Sequence, residues 1–247
     1  MCNCAAHPQR GAGEQLELQP WAARQPSFTA ELQRFIAYIS TPQVQCSQLL
    51  YPREDPAGPW ALCVDGWTLP VDEPQPCVSY SFSMDQKDAD FVDRMLQAGC
   101  EVHQFDPSRK QESGSGRLRR HRAWVDWRGS RKLSAIMDTL GHAEVHFLNM
   151  DLESAEWRVL ESWAADGTLS RIQQLLVTVH LHWAGFEVPG TDAEVLRFWY
   201  SVVRRLDASG FDLLYSVGGA GDTILHHLVP GAHSTYSLSW VRTRGPG

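Results

Sequence analysis

The chain has 247 residues, of which 43% are hydrophobic and 21% are charged. This length and composition fit one domain with a sizeable core, and they exclude a disulfide-dense miniprotein and a disordered tail. The 22 basic and 29 acidic residues give a net charge of −7, which argues against a wholly basic nucleic-acid binder.

Residues 1–26 mix Gly, Pro, Gln and Ala without periodicity and are predicted to form a mobile leader. They lack the basic and apolar regions of a secretory signal. No apolar run in the chain reaches the roughly 20 residues that span a bilayer. On these grounds the chain is predicted to be cytosolic. Cys2 and Cys4 have no second pair nearby and are not expected to bind a metal.

The first predicted element is an amphipathic helix. Apolar residues recur at helical spacing after Ser27, with Ser27 or Thr29 as the candidate capping residue, and Pro42 lies just past the end of the pattern. A linker rich in Pro and Gly follows at residues 51–59. Residues 27–59 are therefore predicted to form an N-terminal helix and linker, and residues 60–247 the main domain.

After Pro76, short apolar runs alternate with segments of helical period. The predicted strands are 77–83, 101–105, 120–125, 145–150, 175–182, 211–217 and 236–241. The predicted helices are 88–98, 132–140, 154–165 and 192–209. This alternation predicts an α/β fold with a mostly parallel sheet and helices on both faces. No helix is predicted between the last two strands, so the last strand is expected to run antiparallel to its neighbour.

Polar residues follow several predicted strands, at the sheet edge where ligands of such folds bind. Asp106 lies 23 residues after Ser83, close to the ~20-residue offset at which an acidic residue accepts ribose hydroxyls. A turn-capping role before Pro107 is the alternative, and spacing does not decide between them. The end of the first strand, from Ser81 to Asp85, contains no glycine, which argues against a tight nucleotide site.

Asp151 and Glu153 follow the predicted strand 145–150 and lie at the same edge. A carboxylate there could orient or deprotonate a substrate nucleophile, so both are predicted catalytic residues. The next polar residues, Ser154 and Glu156, are explained by capping of the following helix.

His180 and His182 are two residues apart on one strand and are expected to share a face. No third ligand is spaced to join them. Histidines with a structural role are therefore favoured, and no metal site is predicted.

Residues 109–132 contain nine basic and two acidic residues, a local charge of +7 that leaves −14 elsewhere. A solvated loop is the plain interpretation. The arginines of residues 117–122 adjoin the expected ligand edge, however, and could attract an anionic substrate.

Several longer motifs, taken together, resemble one family. They are residues 18–22 (LQPWA), 38–41 (YIST), 99–108 (GCEVHQFDPS), 125–128 (VDWR), 151–157 (DLESAEW), 180–183 (HLHW), 185–188 (GFEV), 197–201 (RFWYS) and 238–241 (LSWV). On these motifs the chain resembles the methyltransferase-like protein 24 family from about residue 18 to residue 244. More distantly, residues 151–156 are similar to FkbM-type methyltransferases.

The resemblance implies a class I, Rossmann-like methyltransferase domain that uses S-adenosylmethionine, with an unassigned oxygen or nitrogen acceptor. The cofactor-binding residues that it implies are Ser81, Ser83, Asp85, Asp106 and Asp126. Asp106 would hold the ribose hydroxyls and Asp126 would lie near the adenine. Asp151 and Glu153 would face the acceptor, for which an anionic molecule is considered.

Two departures from the family pattern support an alternative. Ser83 and Asp85 stand where family members carry Gly-x-Gly, and Asn149 stands where they carry Lys. The alternative is a non-catalytic module that keeps the fold and binds a partner through its surface. A third hypothesis is electrostatic binding of an anionic glycan or nucleic acid by residues 117–132, although the net charge disfavours nucleic acid.

The resemblance also implies placement in the secretory pathway, in contrast to the cytosolic prediction from the N-terminus. In an oxidising lumen Cys46, Cys63, Cys77 and Cys100 would become disulfide partners. Four cysteines allow three pairings, and the sequence does not choose among them.

Overall fold

A computed structural model of the chain describes residues 16–53, 57–67, 69, 77–185 and 187–244. Cys2 and Cys4 lie outside the described residues. Within the described part of the chain, no helix combines the length and the apolar character needed to cross a bilayer.

The described elements follow the alternation that the sequence predicts. The strands are β1 (Leu49–Leu50), β2 (Leu62–Cys63), β3 (Val78–Phe82), β4 (Glu101–Phe105), β5 (Ser113–Ser115), β6 (Leu118–His121), β7 (Val145–Asp151), β8 (Ile172–His180), β9 (Phe211–Gly218), β10 (Thr223–Ile224), β11 (His227–Leu228) and β12 (Thr235–Arg242). The helices are α1 (Phe28–Ile39), α2 (Ala89–Gln97), α3 (Leu133–Leu140), α4 (Glu156–Ala165) and α5 (Asp192–Ala208), with short 3-10 turns at Gly129–Arg131 and Thr168–Arg171.

The main sheet has the strand order β5–β6–β4–β3–β7–β8–β12–β9. Neighbours from β6 to β8 run parallel. β12 is inserted between β8 and β9 and is antiparallel to both. The chain moves outward from β3 to β6 and then returns to β7, so the strand order reverses between β3 and β7. The predicted α/β fold, mostly parallel with an antiparallel last strand, is confirmed.

Alternate side chains of the central strands enter two separate cores. Leu175 and Val177 of β8 belong to the core formed with α1, α3, α4 and α5. Leu176, between them, belongs to the opposite core with Phe91 of α2. The sheet is therefore covered on both faces, as its continuous apolar strands require.

Helix α1 begins where the sequence predicts. The Ser27 hydroxyl accepts a hydrogen bond of 3.4 Å from the Ala30 backbone N–H and caps the helix. Phe35 and Ile39 are fully buried in the core that α1 shares with α5. The N-terminal helix is thus packed against the main domain.

The predicted end of one helix is confirmed, and the predicted bounds of one strand are wrong. Gly141, the residue after α3, has a φ of 77°, which is the left-handed conformation expected at this position. The strand predicted at 120–125 is wrong in its bounds, because β6 ends at His121. Trp124 and Val125 lie instead in a loop, where Val125 is fully buried. Burial of the loop, not strand pairing, accounts for its apolar character.

The described end of the predicted leader contacts α5. The Gln19 backbone N–H donates to Ser201 Oγ at 2.9 Å, and Arg197 Nε donates to the Gln19 carbonyl at 2.5 Å. The Arg197 guanidinium also lies 4.4 Å from the ring centre of Trp21. Residues 1–15 lie outside the described residues, and the domain divisions stay predictions.

Of the three pairings left open by the sequence, the structure has Cys46–Cys63 and Cys77–Cys100, at sequence separations of 17 and 23. The first bond joins the segment after α1 to β2. The second joins the residues that precede β3 and β4, and both of its cysteines are buried. Each bond therefore closes a loop at the margin of the sheet.

We expect loss of either disulfide to lower the free energy of unfolding by about 2–4 kcal/mol, because the reduced unfolded chain gains freedom in loops of this size. Denaturant titration of Cys46→Ser/Cys63→Ser and Cys77→Ser/Cys100→Ser variants measures the loss. Peptide mapping of the unreduced protein should recover these two linkages. Free thiols at the four positions after unfolding without reductant would contradict the pairing.

Candidate functional site

The carboxyl ends of β3, β4, β7 and β8 lie along one edge of the sheet, around the point where the strand order reverses. Ligands of open α/β sheets bind at this position, here called the ligand edge. The described non-glycine residues with positive φ form three pairs: Asp85 and Gln86 after β3, Glu153 and Ser154 after β7, and Leu225 and His226 in the turn that hydrogen-bonds to the residues following β8. Backbone strain of this kind concentrates at functional sites.

Asp151, Glu153 and His180 meet at the ligand edge. Asp151 ends β7 and His180 ends the neighbouring parallel strand β8. His180 Nε2 lies 3.7 Å from Asp151 Oδ1 and 3.7 Å from Glu153 Oε2. Asp151 Oδ1 is buried and accepts no hydrogen bond from the described residues. The fold thus brings both predicted catalytic carboxylates to one imidazole.

A fully buried carboxylate, Glu156, fixes the orientation of His180. Glu156 Oε1 accepts a hydrogen bond of 2.7 Å from the His180 backbone N–H and lies 3.2 Å from its ring Nδ1. Glu156 Oε2 accepts a hydrogen bond of 2.7 Å from the Ser154 backbone N–H. With Nδ1 directed to Glu156, the Nε2 atom of His180 faces Asp151 and Glu153.

Sequence reasoning missed this role of Glu156, because it assigned Glu156 and Ser154 to helix capping. The assignment of Ser154 is wrong. Ser154 has a φ of 94°, whereas a capping residue is extended, and its hydroxyl is buried without a partner among the described residues. The residue before α4 is Ala155, which offers no side-chain cap. No spacing rule connects Glu156 to a histidine on the next strand.

The charged groups of the cluster shift one another's pKa values, and burial acts against them. Lys87 Nζ donates to Glu153 at 2.5 Å, and this hydrogen bond lowers the pKa of Glu153. Burial raises the pKa of Asp151, although His180 and Lys87 oppose the shift. Burial alone would lower the pKa of His180, but the hydrogen bond with Glu156 and the neighbouring carboxylates raise it overall.

The same cluster has the composition of a cation site. The ligand atoms of Asp151, Glu153 and His180 lie within 4.8 Å of one another. Sequence reasoning considered His182 instead, whose ring centre lies 6.0 Å from that of His180. Lys87 already pairs with Glu153, so one of the two carboxylates is compensated by a protein cation. The prediction of no metal site stays a prediction.

Ser81 belongs to a buried polar network under α2. Its hydroxyl donates to Asp88 Oδ2 at 2.5 Å and accepts a hydrogen bond of 3.0 Å from Asn149 Nδ2. Gln104 donates to the other oxygen of Asp88 at 2.8 Å, and Arg109 donates to Gln104 at 2.6 Å. These contacts join the ends of β3, β4 and β7 to the start of α2 and support the loop after β3.

The loop after β3 adopts left-handed backbone without glycine. Asp85 and Gln86 have φ values of 57° and 58°. Such a conformation costs a non-glycine residue roughly 1–2 kcal/mol. Ser83, just before them, is buried, and its backbone N–H donates to the Phe105 carbonyl at 3.3 Å. The loop therefore keeps a conformation that glycine adopts most easily.

A cleft of about 150 Å³ opens between α2 and the ends of β3, β7 and β8. We call it the central cleft. Ser83, Lys87 and Asp151 contribute polar groups to its lining, and Trp60 and Phe91 contribute apolar walls. Of the predicted site residues, Ser83 and Asp151 thus face one space.

Asp106 is buried just after β4, and its two carboxylate oxygens have different surroundings. Oδ1 accepts hydrogen bonds from the backbone N–H and the hydroxyl of Ser108, at 2.8 and 2.6 Å. Oδ2 lies 4.0 Å from Arg109 Nε and accepts no hydrogen bond from the described residues. The turn-capping alternative is therefore realised at Oδ1, while Oδ2 keeps its acceptor capacity.

A second cleft, of about 240 Å³, lies between β6 and α3. We call it the lateral cleft. Phe105, Trp124 and Ile136 supply apolar walls, and Arg131 lies at its margin. Asp126 is on the adjoining loop, where its backbone N–H donates to the Arg131 carbonyl at 2.9 Å. Asp126 Oδ1 is buried without a partner among the described residues.

The structure thus places the predicted residues in three groups. Ser83 and Asp151 line the central cleft, Glu153 pairs with Lys87 at its margin, and Asp126 lies beside the lateral cleft. Asp106 follows β4, which stands between the strands that border the two clefts. The cofactor-binding roles of these residues stay predictions.

Comparisons with known proteins identify relatives of the chain. No protein-family model matches it. It is 37% identical, over an alignment of 261 residues, to "Probable methyltransferase-like protein 24" of Rattus norvegicus, which covers 96% of this chain and 72% of the rat protein. The protein of the same name from Homo sapiens is 37% identical over 269 residues, with 98% and 73% covered.

Among solved structures, the pyocyanin biosynthetic protein PhzM aligns with 70% of this chain and 52% of its own, at 14% identity and a TM-score of 0.24. A TM-score this low supports no structural argument. The two sequence relatives, by contrast, match nearly the whole of this chain and more than two thirds of their own length. The chain belongs to the methyltransferase-like protein 24 family.

Proposed function

We propose that this protein transfers a methyl group from S-adenosylmethionine to an oxygen or nitrogen acceptor at the central cleft. One observation carries the proposal. Asp151 lines the central cleft, and its buried Oδ1, which lacks a hydrogen-bond donor among the described residues, lies 3.7 Å from Nε2 of His180. A carboxylate so placed can receive the proton that an acceptor loses on methylation. The name of the family supports this reaction class.

The apolar walls of the lateral cleft and the nearby Asp126 carboxylate fit the adenine of S-adenosylmethionine. Its apolar walls of Phe105, Trp124 and Ile136 suit a planar base. The buried Asp126 Oδ1 lacks a partner within the described part of the chain, and an exocyclic amino group would supply the missing donor. Asp126 would therefore hold the base by charge-assisted hydrogen bonding.

The residues after β3 and β4 fit the rest of the cofactor. Asp106 Oδ2 has acceptor capacity for a ribose hydroxyl. The left-handed Asp85 and Gln86 give the loop after β3 the backbone that close approach to a ligand requires. Ser83 adds a hydroxyl in the central cleft.

The chain's own residues would handle the proton of the acceptor. S-adenosylmethionine, when bound, would supply a methyl carbon on a positively charged sulfur: as the acceptor atom bonded to that carbon, the carbon–sulfur bond would break and the sulfur would leave as a neutral thioether. Asp151 takes the proton from the acceptor O–H or N–H, and burial, which raises the pKa of Asp151, makes it a stronger base than an exposed aspartate. Most of the rate enhancement comes from holding the two reactants in line.

Glu156 and His180 position the base. Glu156 binds the Nδ1 side of the ring, so that Nε2 stays directed at Asp151. Positive charge on His180, favoured by the surrounding carboxylates that raise its pKa, keeps Asp151 ionised before the acceptor binds. Lys87 holds Glu153 by a hydrogen bond at the margin of the cleft, where Glu153 can orient the acceptor.

We further propose an anionic acceptor and an oxidising compartment. Arg122 and Arg128 are exposed in the loop that follows β6, close to the ligand edge, and no carboxylate forms an ion pair with either among the described residues. They would attract negative charge to this end of the sheet. The two disulfides support placement in an oxidising compartment such as the secretory pathway.

We expect calorimetric titration to show S-adenosylmethionine binding with a Kd of about micromolar order. Asp126→Ala and Asp106→Ala should each weaken binding about 10- to 100-fold, because each removes a hydrogen bond to a charged acceptor. Asp138→Asn is the matched control, since Asp138 is exposed, pairs with Arg171 and lines neither cleft. Absence of heat at about millimolar ligand would favour the non-catalytic module instead.

We expect Asp151→Asn to lower the methyl-transfer rate about 10²- to 10⁴-fold while S-adenosylmethionine still binds. Transfer of labelled methyl groups to a panel of hydroxyl and amine acceptors measures the rate. In the unaltered protein, the rate should fall as pH drops through the pKa of Asp151, which burial places above the usual value of about 3.9. This acid limb should be absent from the residual rate of the variant. Full activity of Asp151→Asn would remove the assignment.

A further inference from the structure

A second group of titratable side chains lies away from the ligand edge, on the face of the sheet that α3 covers. Glu101 and His103 come from β4, His121 ends β6, and His142 follows α3, with Tyr80 of β3 beside them. His103 and Tyr80 are buried, whereas the Glu101 side chain is 43% exposed. The proposed methyl transfer gives these residues no role.

Three of these side chains direct their ligand atoms at one another. Glu101 Oε1 lies 3.1 Å from His103 Nε2, and Glu101 Oε2 lies 4.0 Å from His142 Nε2. The ligand atoms of all three side chains lie within 4.8 Å of one another. Around a tetrahedral zinc ion with bonds of about 2.0–2.1 Å, neighbouring ligand atoms are about 3.3 Å apart. Small side-chain rotations would therefore close these groups around an ion.

The Nδ1 atom of each imidazole has a hydrogen-bond partner, as in histidines that bind a metal through Nε2. The Tyr80 hydroxyl lies 2.7 Å from His142 Nδ1, and His121 Nε2 lies 3.0 Å from His103 Nδ1. A histidine that binds a metal through Nε2 carries its proton on Nδ1 and donates it to such a partner. The two hydrogen bonds therefore fit the tautomer that a metal ion needs.

The charge state of the group also suits a cation. His103 is buried and His142 is half-buried, an environment that favours the neutral imidazole whose lone pair a metal ion needs. None of the described lysines or arginines forms an ion pair with Glu101. Nearby Arg171 is engaged with Asp138 and two backbone carbonyls.

We propose that Glu101, His103 and His142 bind a divalent cation of the zinc type, with water as the fourth ligand. Two neutral imidazoles and one carboxylate form a donor set that Zn²⁺ accepts. The ion would tie β4 to the connection between α3 and β7. Because His121 contacts His103 and also lines the lateral cleft, the ion would also steady one wall of that cleft. This site goes beyond the proposed methyl transfer.

Titration of the metal-free, tag-free chain with zinc chloride tests the proposal by calorimetry, and thermal unfolding with and without zinc gives an independent measure. We expect one equivalent to bind with a Kd of about micromolar order or tighter and to raise the Tm. Glu101→Gln and His142→Gln, both at partly exposed positions, should weaken binding at least ~100-fold. Cobalt in place of zinc should give the visible absorption of a tetrahedral site.

Two further variants distinguish zinc bound at Glu101 from zinc bound at the ligand edge. Glu153→Gln is the matched control, because Glu153 is 44% exposed and also lies beside a histidine, but at the ligand edge. It should leave zinc binding unchanged. Tyr80→Phe should weaken zinc binding about 10- to 100-fold through the lost contact with His142, with the cobalt spectrum altered. The proposal is overturned if zinc neither binds nor raises the Tm, or if Glu153→Gln abolishes binding while Glu101→Gln does not.

Discussion

The hydrogen bonds of the buried Glu156 carboxylate are the contacts on which the ligand edge depends. They join the first turn of α4 to the turn after β7 and to the end of β8, through Ser154 and His180. Each buried backbone N–H left without its acceptor would cost about 1–3 kcal/mol. The same carboxylate orients the His180 ring. The buried Glu156 carboxylate thus accepts hydrogen bonds from two backbone N–H groups of the site and also directs the His180 ring at Asp151.

This anchoring accounts for the strained backbone around it. Glu153 and Ser154 have φ values of 54° and 94°, which residues with side chains seldom adopt. The Ser154 N–H reaches Glu156 in this conformation, and the same turn carries Glu153 toward Lys87 and His180. The cost of the turn is therefore offset by a buried hydrogen bond and an ion pair. On the other side of the reversal of strand order, the loop at Asp85 also has left-handed backbone without glycine. Both loops thus keep a costly backbone conformation next to the ligand edge, as residues at functional sites often do.

The sequence predicted the framework of the site because the framework depends on periodicity. Alternating patterns placed Asp106 and Asp151 at strand ends, and parallel strands bring such ends to one edge. The inserted position of β12 between β8 and β9, by contrast, depends on tertiary pairing that no local pattern encodes. The missing glycines after β3 argued, on sequence alone, against a ligand loop. In the structure, Asp85 and Gln86 adopt the left-handed conformation without glycine, a conformation that the sequence did not predict for this loop.

The role of Glu156 was beyond sequence reasoning for a different reason. The helix dipole fully accounts for a glutamate in the first turn of a helix, until the partner strand is known. His180 becomes its partner only when β7 and β8 pair in parallel and α4 packs beside them. Likewise, His103 and His142 are distant in sequence and meet only after β4 and α3 have packed. A residue whose role depends on contacts between elements distant in sequence cannot be identified from the pattern of its neighbours along the chain.

The two clusters of histidine and carboxylate differ in charge balance, and this difference separates their chemistry. At the ligand edge, three carboxylates surround His180 and raise its pKa, and Lys87 supplies a further positive charge. Groups balanced in this way hold and move protons. Around Glu101, burial dominates and lowers the pKa of the neighbouring histidines, which leaves neutral rings beside a single carboxylate. Lone pairs without a competing cation are suited to a metal ion, so similar residue types would serve the proposed proton transfer at the ligand edge and the proposed coordination around Glu101.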